Sequence, residues 1–582
     1  MPKLSKLFSP KAVAVVGVSS EPRKLGSVVF TNILESGFTK VYPVNPNYDD
    51  VLGHRCYHNL GYIHADLDLV VIVVPAAFVP QVMVDVAAKN VENVIIISAG
   101  FRETGEEGQK LEAEVMKIAK SNGINILGPN CLGIDIPSSK LNASFSAKHA
   151  LPGNIAFLSQ SGAVNTAMLD LAAEVNLGFS HFVSVGNKIG LTEIDFLEYW
   201  LEDPQVKVIG MYIEQFADGN DFMKLVNYSK KPIIILHPGE SKVSQQAISS
   251  HTGSLAGSSA TVRAALRQAG AIQVDSLERM FDTLWLLSVG YQPAGNKVAI
   301  VTNAGGPGIM LTDMLEKSGL DVVQLGRQTQ QKLRKVLPPT ASTHNPIDLV
   351  GDALADRYEK ALEIVAIDEE VDSVLAVLTP QLVTQVEETA KVIINISKQT
   401  SKPVIPLFIG GEFVHPGLHW LTEAGLPAFQ YPEQAVNALA SVSKVSKLKK
   451  RKQQRYLRVK PKHLPEVERK LSAKVTPLPQ DLTFEIAAEV GLHMPQQVIV
   501  KNFEEAVGFA AEQGFPLVLK ALSEDVIHKT DVKALYLNIS SLEELHTAFG
   551  ELQESLQKVT AKKYPEILVQ KQLTAGEELL IG

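Results

Sequence analysis

The sequence predicts an α/β protein in which several buried parallel sheets are covered by helices. Short, almost entirely apolar runs rich in β-branched residues recur along the chain, and each is followed by a loop and an amphipathic stretch. Runs that are apolar throughout are typical of parallel strands buried on both faces, with helices as the connections. The chain has 582 residues, which at about 150 residues per domain corresponds to roughly four domains.

The predicted strands are short, as expected for strands in a compact sheet. They comprise residues 12–18, 69–74, 94–98, 124–127, 155–158, 208–213, 232–236, 298–302, 373–378 and 404–408. A further strand is predicted at 40–44. Near the C-terminus the pattern changes, and a helix at 483–490 and a strand at 516–520 are predicted.

Turn residues and one change in composition divide the chain. Gly128-Pro129-Asn130 ends the first set of strands, and segments rich in Pro and Gly open the next two. Between Lys444 and Lys462 there are ten Lys or Arg residues and no acidic residue. We interpret this run as an exposed linker, and binding of nucleic acid or anionic lipid is the alternative. The predicted domains are residues 1–147, 148–293, 294–447 and 473–582, with the linker at 448–472.

Composition excludes several classes of protein. The net charge of −8 disfavours a surface built for nucleic acid. Two cysteines, Cys56 and Cys131, exclude a disulfide framework and suit a reducing cytosol. The apolar runs are shorter than the roughly 20 residues of a membrane-spanning helix, and the run at 12–18 is too short for a signal peptide. We therefore expect a cytoplasmic protein with neither a nucleic acid nor a membrane as partner.

Three turns between a strand and a helix carry small residues. Such turns are candidate anion sites, because free N–H groups and the helix dipole favour negative charge. The first turn is Val15-Val16-Gly17-Val18-Ser19-Ser20, continuing to Gly26. It lacks G-x-G-x-x-G, and the strand at 40–44 leads into Asn45 with no acidic residue for a ribose, which disfavours NAD. Another adenine nucleotide and a role in packing alone stay open.

The second and third turns, at residues 159–163 and 303–308, each follow an apolar strand and precede an apolar helical stretch. Glycine at a crowded turn often serves packing only, so each turn alone is compatible with either role. Together, the two helix N-termini are suited to face a shared phosphate.

His251 lies in a loop of small hydroxyl residues and glycines at 248–257. A histidine in such a loop is a candidate nucleophile toward phosphorus, provided that an acceptor fixes its second ring nitrogen. Glu214 follows the strand at 208–213 and is the candidate acceptor, because sites in parallel sheets form at the carboxyl ends of strands. A surface ion pair is the alternative for Glu214.

His528 follows the predicted strand at 516–520. A lysine at the end of a buried strand, here Lys520, can reach a nucleotide phosphate. On spacing alone, a solvated loop histidine is the favoured reading of His528. The sequence has no Walker A lysine loop, no C-x-x-C, no H-E-x-x-H and no G-x-S-x-G, so nothing supports a metal hydrolase or a serine hydrolase.

Taken together, these residues resemble the nucleoside-diphosphate-forming acyl-CoA synthetases, the ADP-forming acetate–CoA ligase family, which are relatives of succinyl-CoA synthetase. The resemblance extends over essentially the whole chain. The most specific motif is the loop Ser250-His251-Thr252-Gly253-Ser254-Leu255-Ala256-Gly257, which is similar to the family's phosphohistidine loop. The supporting motifs, in family order, are Gly17-Val18-Ser19, Val44-Asn45-Pro46, Gly128-Pro129-Asn130-Cys131-Leu132-Gly133, Ser159-Gln160-Ser161-Gly162, Ser184-Val185-Gly186-Asn187-Lys188, Asn303–Gly308, Asn345-Pro346-Ile347-Asp348 and His528-Lys529-Thr530-Asp531.

The resemblance implies a Rossmann-like CoA-binding domain, two flavodoxin-like domains and then the N-terminal part of an ATP-grasp domain. It implies the reaction acyl-CoA + phosphate + ADP ⇌ carboxylic acid + CoA + ATP, with Mg²⁺ as cofactor. An acyl phosphate would form first, and its phosphoryl group would pass to a histidine and then to the nucleotide. The implied partners are CoA, acyl-CoA, ADP or ATP, phosphate and a small carboxylic acid.

The resemblance also implies roles for individual residues. The implied catalytic residues are His251, Glu214, which would steady the phosphohistidine, and His528, as a second phosphate carrier. The implied phosphate-binding residues are Ser161, Gly162, Gly305, Gly306 and Gly308. The implied CoA-binding residues are Gly17, Ser19, Lys24, Asn45, Pro75 and Asn130. The implied nucleotide-binding residues are Lys520, Gln570 and Glu578, and no metal ligand is assigned.

The sequence departs from the family pattern in three places. Lys533-Ala534 stand where the family usually has two glycines, and residues 236–240 lack the lysine and arginine often found before the histidine loop. The chain also stops at Gly582, in what resembles the middle of the ATP-grasp domain. We therefore expect a fragment or a shortened form that carries the reaction as far as phosphorylated His251.

Two other functions stay open at this point. One is a non-catalytic regulator that binds CoA or acyl-CoA, and the other is the core of a protein acetyltransferase related to this family. The identity of the acid is also open, because a methylene in a pocket is worth only about 1–3 kcal/mol. The choice between ADP and GDP and assembly into a homo-oligomer are open as well.

Overall fold

The computed structural model describes residues 4–239, 241, 243–244, 259–450, 480–489, 492–522, 535–557, 566–573 and 576. The chain forms two compact units, Met1–Gln454 and Arg455–Gly582. Within the described ranges, no helix is both long enough and apolar enough to cross a membrane.

The first sheet of the larger unit is parallel throughout. The strands in this part of the chain are β1 (Val13–Val16), β2 (Val41–Val44), β3 (Asp50–Val51), β4 (His54–Arg55), β5 (Leu69–Ile72), β6 (Asn93–Ile96) and β7 (Asn125–Leu127). The helices are α1 (Ser5–Phe8), α2 (Leu25–Glu35), α3 (Val79–Ala88) and α4 (Glu106–Asn122). The sheet has the order β2-β1-β5-β6-β7, and β3 and β4 form a separate small hairpin.

The second sheet has five parallel strands and an antiparallel hairpin at one edge. Its strands are β8 (Gly133–Ile136), β9 (Leu141–Ser144), β10 (Leu151–Ser159), β11 (Gly178–Ser184), β12 (Val208–Tyr212), β13 (Ile233–Leu236) and β14 (Ile272–Val274). The helices are α5 (Gly162–Glu174), α6 (Glu193–Glu202), α7 (Gly219–Tyr228), α8 (Ser259–Ala269) and α9 (Leu277–Ser288). The order is β14-β13-β12-β10-β11-β8-β9. The hairpin of β8 and β9 therefore hydrogen-bonds to this sheet, although it precedes residue 147.

The third sheet is again parallel. Its strands are β15 (Lys297–Thr302), β16 (Asp321–Val322), β17 (Ile347–Asp348), β18 (Ser373–Leu378) and β19 (Val404–Phe408). The helices are α10 (Gly305–Lys317), α11 (Arg327–Val336), α12 (Ala355–Ala366), α13 (Val386–Gln399), α14 (His415–Glu423) and α15 (Pro432–Lys450). The order is β16-β15-β18-β19, and β17 also pairs with β15.

The prediction of an α/β fold with buried parallel strands is confirmed. Each of the ten apolar runs contains a strand, and β1, β13, β18 and β19 are buried at every residue. Helices α9 and α15 pack between the second and third sheets, and buried residues of both sheets form one continuous hydrophobic core. In this core the Trp285 and Phe429 ring centroids lie 5.8 Å apart. The basic run begins within α15, and its remainder from residue 451 lies outside the described residues.

The smaller unit contains an antiparallel sheet. Its described strands are β20 (Gln497–Val500), β21 (Leu517–Leu522), β22 (Leu535–Ile539) and β23 (Glu566–Lys571), in the order β20-β23-β21-β22. Its described helices are α16 (Gln480–Glu489), α17 (Phe503–Gln513) and α18 (Leu542–Gln557). The predicted helix at 483–490 and strand at 516–520 are therefore present. However, β21 continues to Leu522, so the prediction that Lys520 ends the strand is wrong.

Candidate functional site

A cavity of about 870 Å³ lies where the carboxyl ends of the first sheet's strands face the turn before α5. It brings together eight residues that the sequence singled out: Gly17, Ser19, Lys24, Asn45, Pro75, Asn130, Ser161 and Gly162. The other described lining residues are Leu25, Gly26, Asn47, Tyr48, Val73, Val74, Ile97, Ser98, Ala99, Cys131, Leu132, Phe145, Gln160 and Ala163. The predicted CoA-binding residues thus share one cavity with the second glycine turn.

Close backbone contacts shape the first glycine turn. Gly17 has a φ of +99°, and a Cβ there would lie 2.4 Å from the carbonyl oxygen of Val73. A Cβ on Gly26 would lie 2.2 Å from the carbonyl oxygen of Gly17. Glycine is therefore required for packing at both positions. The same packing leaves the N-terminus of α2 at the cavity, where its N-cap residue Lys24 makes no side-chain capping bond.

The polar side chains of this turn mostly hold the turn itself. Ser19 is buried, and its N–H donates to Ser27 Oγ at 3.1 Å. Asn45 Nδ2 donates to the Val18 carbonyl at 2.7 Å, and Asn45 Oδ1 accepts from the Asn47 N–H at 2.9 Å. The side chains of Ser19 and Asn45 therefore position the backbone around the cavity.

The rim of the cavity carries a cation and a phenol. Lys24 is the one charged side chain among the described lining residues, and its Nζ lies 2.7 Å from Glu21 Oε1 at an exposed position. Hydrogen bonding to Ser19 lowers the pKa of the Tyr48 hydroxyl. The features of this end that favour an anionic group of a ligand are the Lys24 ammonium and the N-terminus of α2.

The opposite end of the cavity is the second glycine turn. Ser159 Oγ donates to the Ser161 carbonyl at 2.8 Å and accepts from the Ser161 N–H at 2.9 Å. Ser161 is the N-cap of α5, and its Oγ accepts from the Val164 N–H at 3.3 Å. A Cβ on Gly162 would meet no atom within 4 Å. The space beside Gly162 is therefore open, and the N–H groups of the first helical turn favour an anion there.

Gln160 links this turn to Glu214. Its side-chain Oε1 accepts from the backbone N–H groups of Glu214 at 2.6 Å and Gln215 at 3.0 Å. Glu214 lies just after β12 and lines a second cavity of about 340 Å³, together with Phe216 and His237. Gln160 thus stands between the first cavity, which it lines, and the segment that carries Glu214.

A buried ion pair fixes the same segment from another side. Lys188 Nζ donates to Glu193 Oε2 at 2.8 Å and also to the carbonyl of Gln215. Glu193 is fully buried, and its Oε1 accepts from the Ala217 N–H at 2.6 Å. Burial lowers the pKa of Lys188, and the Glu193 carboxylate opposes that effect. In the sequence, Lys188 is only part of a supporting motif, because nothing in its spacing identifies Glu193 as its partner.

Asn187 connects the second sheet to the first. Its Nδ2 donates to Glu103 Oε2 at 2.7 Å, and its backbone N–H donates to the Pro129 carbonyl at 2.9 Å. Gly186 has a φ of +53°, and a Cβ there would lie 2.4 Å from the Asn130 carbonyl oxygen. The two walls of the cavity are therefore held together by direct backbone contact.

The third glycine turn lies apart from the lining of both described cavities. Gly305 and Gly306 are exposed at the start of α10, whereas Gly308 is buried. Asn303 Oδ1 accepts from the Thr379 N–H at 2.9 Å and fixes the entry to the helix. Among the described residues, no hydrogen bond joins this turn to the second glycine turn at 159–163. His251 lies outside the described residues.

In the smaller unit, two predicted nucleotide-binding residues meet. Lys520 Nζ donates to Gln570 Oε1 at 2.8 Å, and Gln570 Nε2 donates to Gln497 Oε1 at 2.7 Å. His528 and Glu578 lie outside the described residues. Among the residues that are described, no group of three or more His, Cys, Asp or Glu could hold a metal ion. A lysine paired with an amide suits a phosphate oxygen more than Mg²⁺, so no residue is assigned to that ion.

Four family descriptions match successive parts of the chain. Residues 11–137 match "CoA binding domain", and residues 152–287 match "Succinyl-CoA ligase like flavodoxin domain". Residues 298–450 match "Ligase-CoA domain", and residues 469–582 match "ATP-grasp domain".

The similarity to curated proteins extends over nearly the whole chain. An ADP-forming acetate–CoA ligase I of Archaeoglobus fulgidus is 37% identical over 100% of this chain and 84% of its own. A 4-hydroxybutyrate–CoA ligase (ADP-forming) of Nitrosopumilus maritimus is 33% identical over 99% of this chain and 84% of its own. A solved structure, the dinucleotide forming acetyl-coenzyme A synthetase 1 of Ca. Korarchaeum cryptofilum in complex with phosphate and ADP, is 35% identical, with a TM-score of 0.74. The likeness covers 77% of this chain and 98% of that one.

Proposed function

Since the chain belongs to the ADP-forming acetate–CoA ligase family of NDP-forming acyl-CoA synthetases, we propose that its 870 Å³ cavity binds the CoA moiety of an acyl-CoA. The similarity of whole chains to ligases favours a synthetase over a non-catalytic regulator or an acetyltransferase core. The reaction is the interconversion of acyl-CoA, phosphate and ADP with carboxylic acid, CoA and ATP.

The two ends of the cavity suit the two ends of CoA. The phosphate groups of CoA match the end that carries Lys24 and the N-terminus of α2, because both attract anions. The residues from Val73 to Pro75 give a less polar wall for the pantetheine arm. In this orientation the thioester would lie beside Ser161 and Gly162.

The turn before α5 would hold inorganic phosphate against the thioester. The open space beside Gly162 and the N–H groups of the first helical turn favour an anion there. Attack by a phosphate oxygen forms the C–O bond, and cleavage of the C–S bond releases CoA as a thiolate. The acyl phosphate formed would then pass its phosphoryl group to His251, with Glu214 as the residue that orients the imidazole.

The smaller unit would handle the nucleotide. Lys520 supplies a positive charge beside Gln570, and such a pair suits the phosphates of ADP or ATP. The family implies Mg²⁺ for this step, which would neutralise charge on the nucleotide phosphates.

We further propose a small aliphatic carboxylic acid as product, since relatives are named for acetate and for 4-hydroxybutyrate. The two free, buried cysteines fit the reducing cytoplasm expected from the sequence.

One observation carries the proposal: six residues expected to bind CoA line a single cavity that ends at a predicted phosphate-binding turn. The test is to measure free thiol released from acetyl-CoA with and without phosphate, followed by mapping of ³²P on the protein. We expect phosphate-dependent thiol release and acid-labile label on His251. His251→Asn should abolish the label and leave CoA affinity unchanged. Label on the asparagine variant equal to that on the unchanged protein would refute the proposed role of His251.

A further inference from the structure

The orientation of the Gln160 side-chain amide is fixed by its surroundings. Two backbone N–H groups, of Glu214 and Gln215, point at one atom of the amide at 2.6 and 3.0 Å. An N–H donor requires an acceptor, so this atom is the oxygen, and the NH₂ group lies on the other branch of the amide. Within the described part of the chain, Gln160 Nε2 makes no hydrogen bond.

The position of Gln160 is equally restricted. Its backbone N–H donates to the Tyr212 carbonyl at 3.1 Å, at the end of β12, so both the main chain and the side chain are anchored. Gln160 is half-buried and lines the 870 Å³ cavity next to Ser161 and Gly162. An anchored amide with an NH₂ group left to donate therefore stands at the end of the cavity assigned to the thioester.

We propose that Gln160 Nε2 donates a hydrogen bond to the carbonyl oxygen of the acyl thioester during attack by phosphate, which makes Gln160 a catalytic residue. The proposal rests on the function proposed above. As the phosphate oxygen bonds to the carbonyl carbon, the electron pair of the C=O bond moves onto the oxygen. That pair returns when the C–S bond breaks and the thiolate leaves. A donor already in place at that oxygen lowers the barrier because it needs no reorganisation.

Two substitutions separate this role from simple positioning of Glu214. Gln160→Glu keeps an oxygen that accepts from the Glu214 and Gln215 N–H groups, but it removes the NH₂ donor and adds a charge. Gln160→Met removes both donor and acceptor without adding charge. If Gln160 only held the Glu214 segment, Gln160→Glu would stay active and Gln160→Met would not. If Gln160 donates to the thioester, both variants lose thioester cleavage.

The experiment measures two half-reactions of the full chain. The first is thiol release from acetyl-CoA and phosphate, and the second is ³²P labelling of the protein by acetyl phosphate, which bypasses the thioester. Both variants should release thiol about 100- to 1,000-fold more slowly, as for loss of one oxyanion donor. Gln160→Glu, which keeps the acceptor bond, should retain labelling by acetyl phosphate to within about fivefold of the unchanged protein. The matched control, Gln205→Glu, makes the same change at an exposed position and should alter neither half-reaction.

Several results would overturn the proposal. Thiol release by Gln160→Glu or by Gln160→Met close to that of the unchanged protein would show that the NH₂ group is not needed. Equal loss of both half-reactions in Gln160→Glu would show that the residue acts on the phosphate site as a whole and not at the thioester. Failure of the unchanged protein to release thiol would instead refute the proposed function, so the two failures are distinguishable.

Discussion

Replacing Gly162 by alanine should separate ligand binding from folding. Gly162 is the first residue of α5, and beyond its chain neighbours and the backbone of its own helix an added methyl group would meet no protein atom within 4 Å. Alanine has a better helix propensity than glycine, so the free energy of unfolding should stay the same or rise by up to about 1 kcal/mol. The methyl group would occupy the space assigned to phosphate. We therefore expect KM for phosphate to rise at least tenfold.

The matched control is Gly17→Ala on the other wall of the cavity. There the φ of +99° and the 2.4 Å approach to the Val73 carbonyl oxygen require backbone movement. Strain of this kind costs on the order of 1–3 kcal/mol, so this variant should melt at a lower temperature.

Both variants are tested by two measurements: the thermal melting temperature, and the rate of thiol release as a function of phosphate concentration. Destabilisation of Gly162→Ala as large as that of Gly17→Ala would refute the claim that the space beside Gly162 is kept for a ligand. An unchanged KM for phosphate in a stable Gly162→Ala protein would refute it equally.

Three further predictions concern charges. Lys188→Met leaves Glu193 buried without its partner and should cost about 3–5 kcal/mol in urea unfolding, and adding Glu193→Gln should recover part of that loss. Burial raises the pKa of Asp282 to about 7, above the unfolded value of 3.8, so stability should fall as pH rises through this window. Asp282→Asn should reduce that dependence in melting curves recorded from pH 4 to 8 by the share of Asp282, and the rest should persist because burial also raises the pKa of Asp135 to about 7. Lys520→Met should weaken ADP binding by equilibrium dialysis and leave thiol release unchanged, and equal affinity would refute the assigned role.

Sequence patterning predicts the sheets of the larger unit because each strand is apolar enough to be buried on both faces. β18 and β19, for example, are buried at every residue and lie where the apolar runs place them. It does not predict which sheet the hairpin of β8 and β9 joins. That choice depends on the antiparallel pairing of β8 with β11, which is a contact between distant segments.

The sequence predicts those residues of the candidate site that belong to a turn between a strand and a helix. Gly17 directly follows an apolar strand, Gly162 lies three residues beyond the end of another, and both line the cavity. Lys520 is a case where local reasoning failed, because β21 runs two residues past it. Gln160 carries no local signal of its contact with Glu214, which is 54 residues away, and Lys188 carries none of its contact with the Gln215 carbonyl, which is 27 residues away.

Three side chains from different parts of the chain form hydrogen bonds with the backbone of the segment that follows β12. Gln160 accepts from the Glu214 N–H, Lys188 donates to the Gln215 carbonyl, and Glu193 accepts from the Ala217 N–H. The residue before Lys188 in turn binds Glu103 of the first sheet's loops, so the cavity walls and the Glu214 segment are fixed relative to one another without ligand. A ligand entering this cavity then does not have to order that backbone. Preorganisation of this kind leaves more binding energy for the transition state, which is where an anchored donor such as Gln160 is effective.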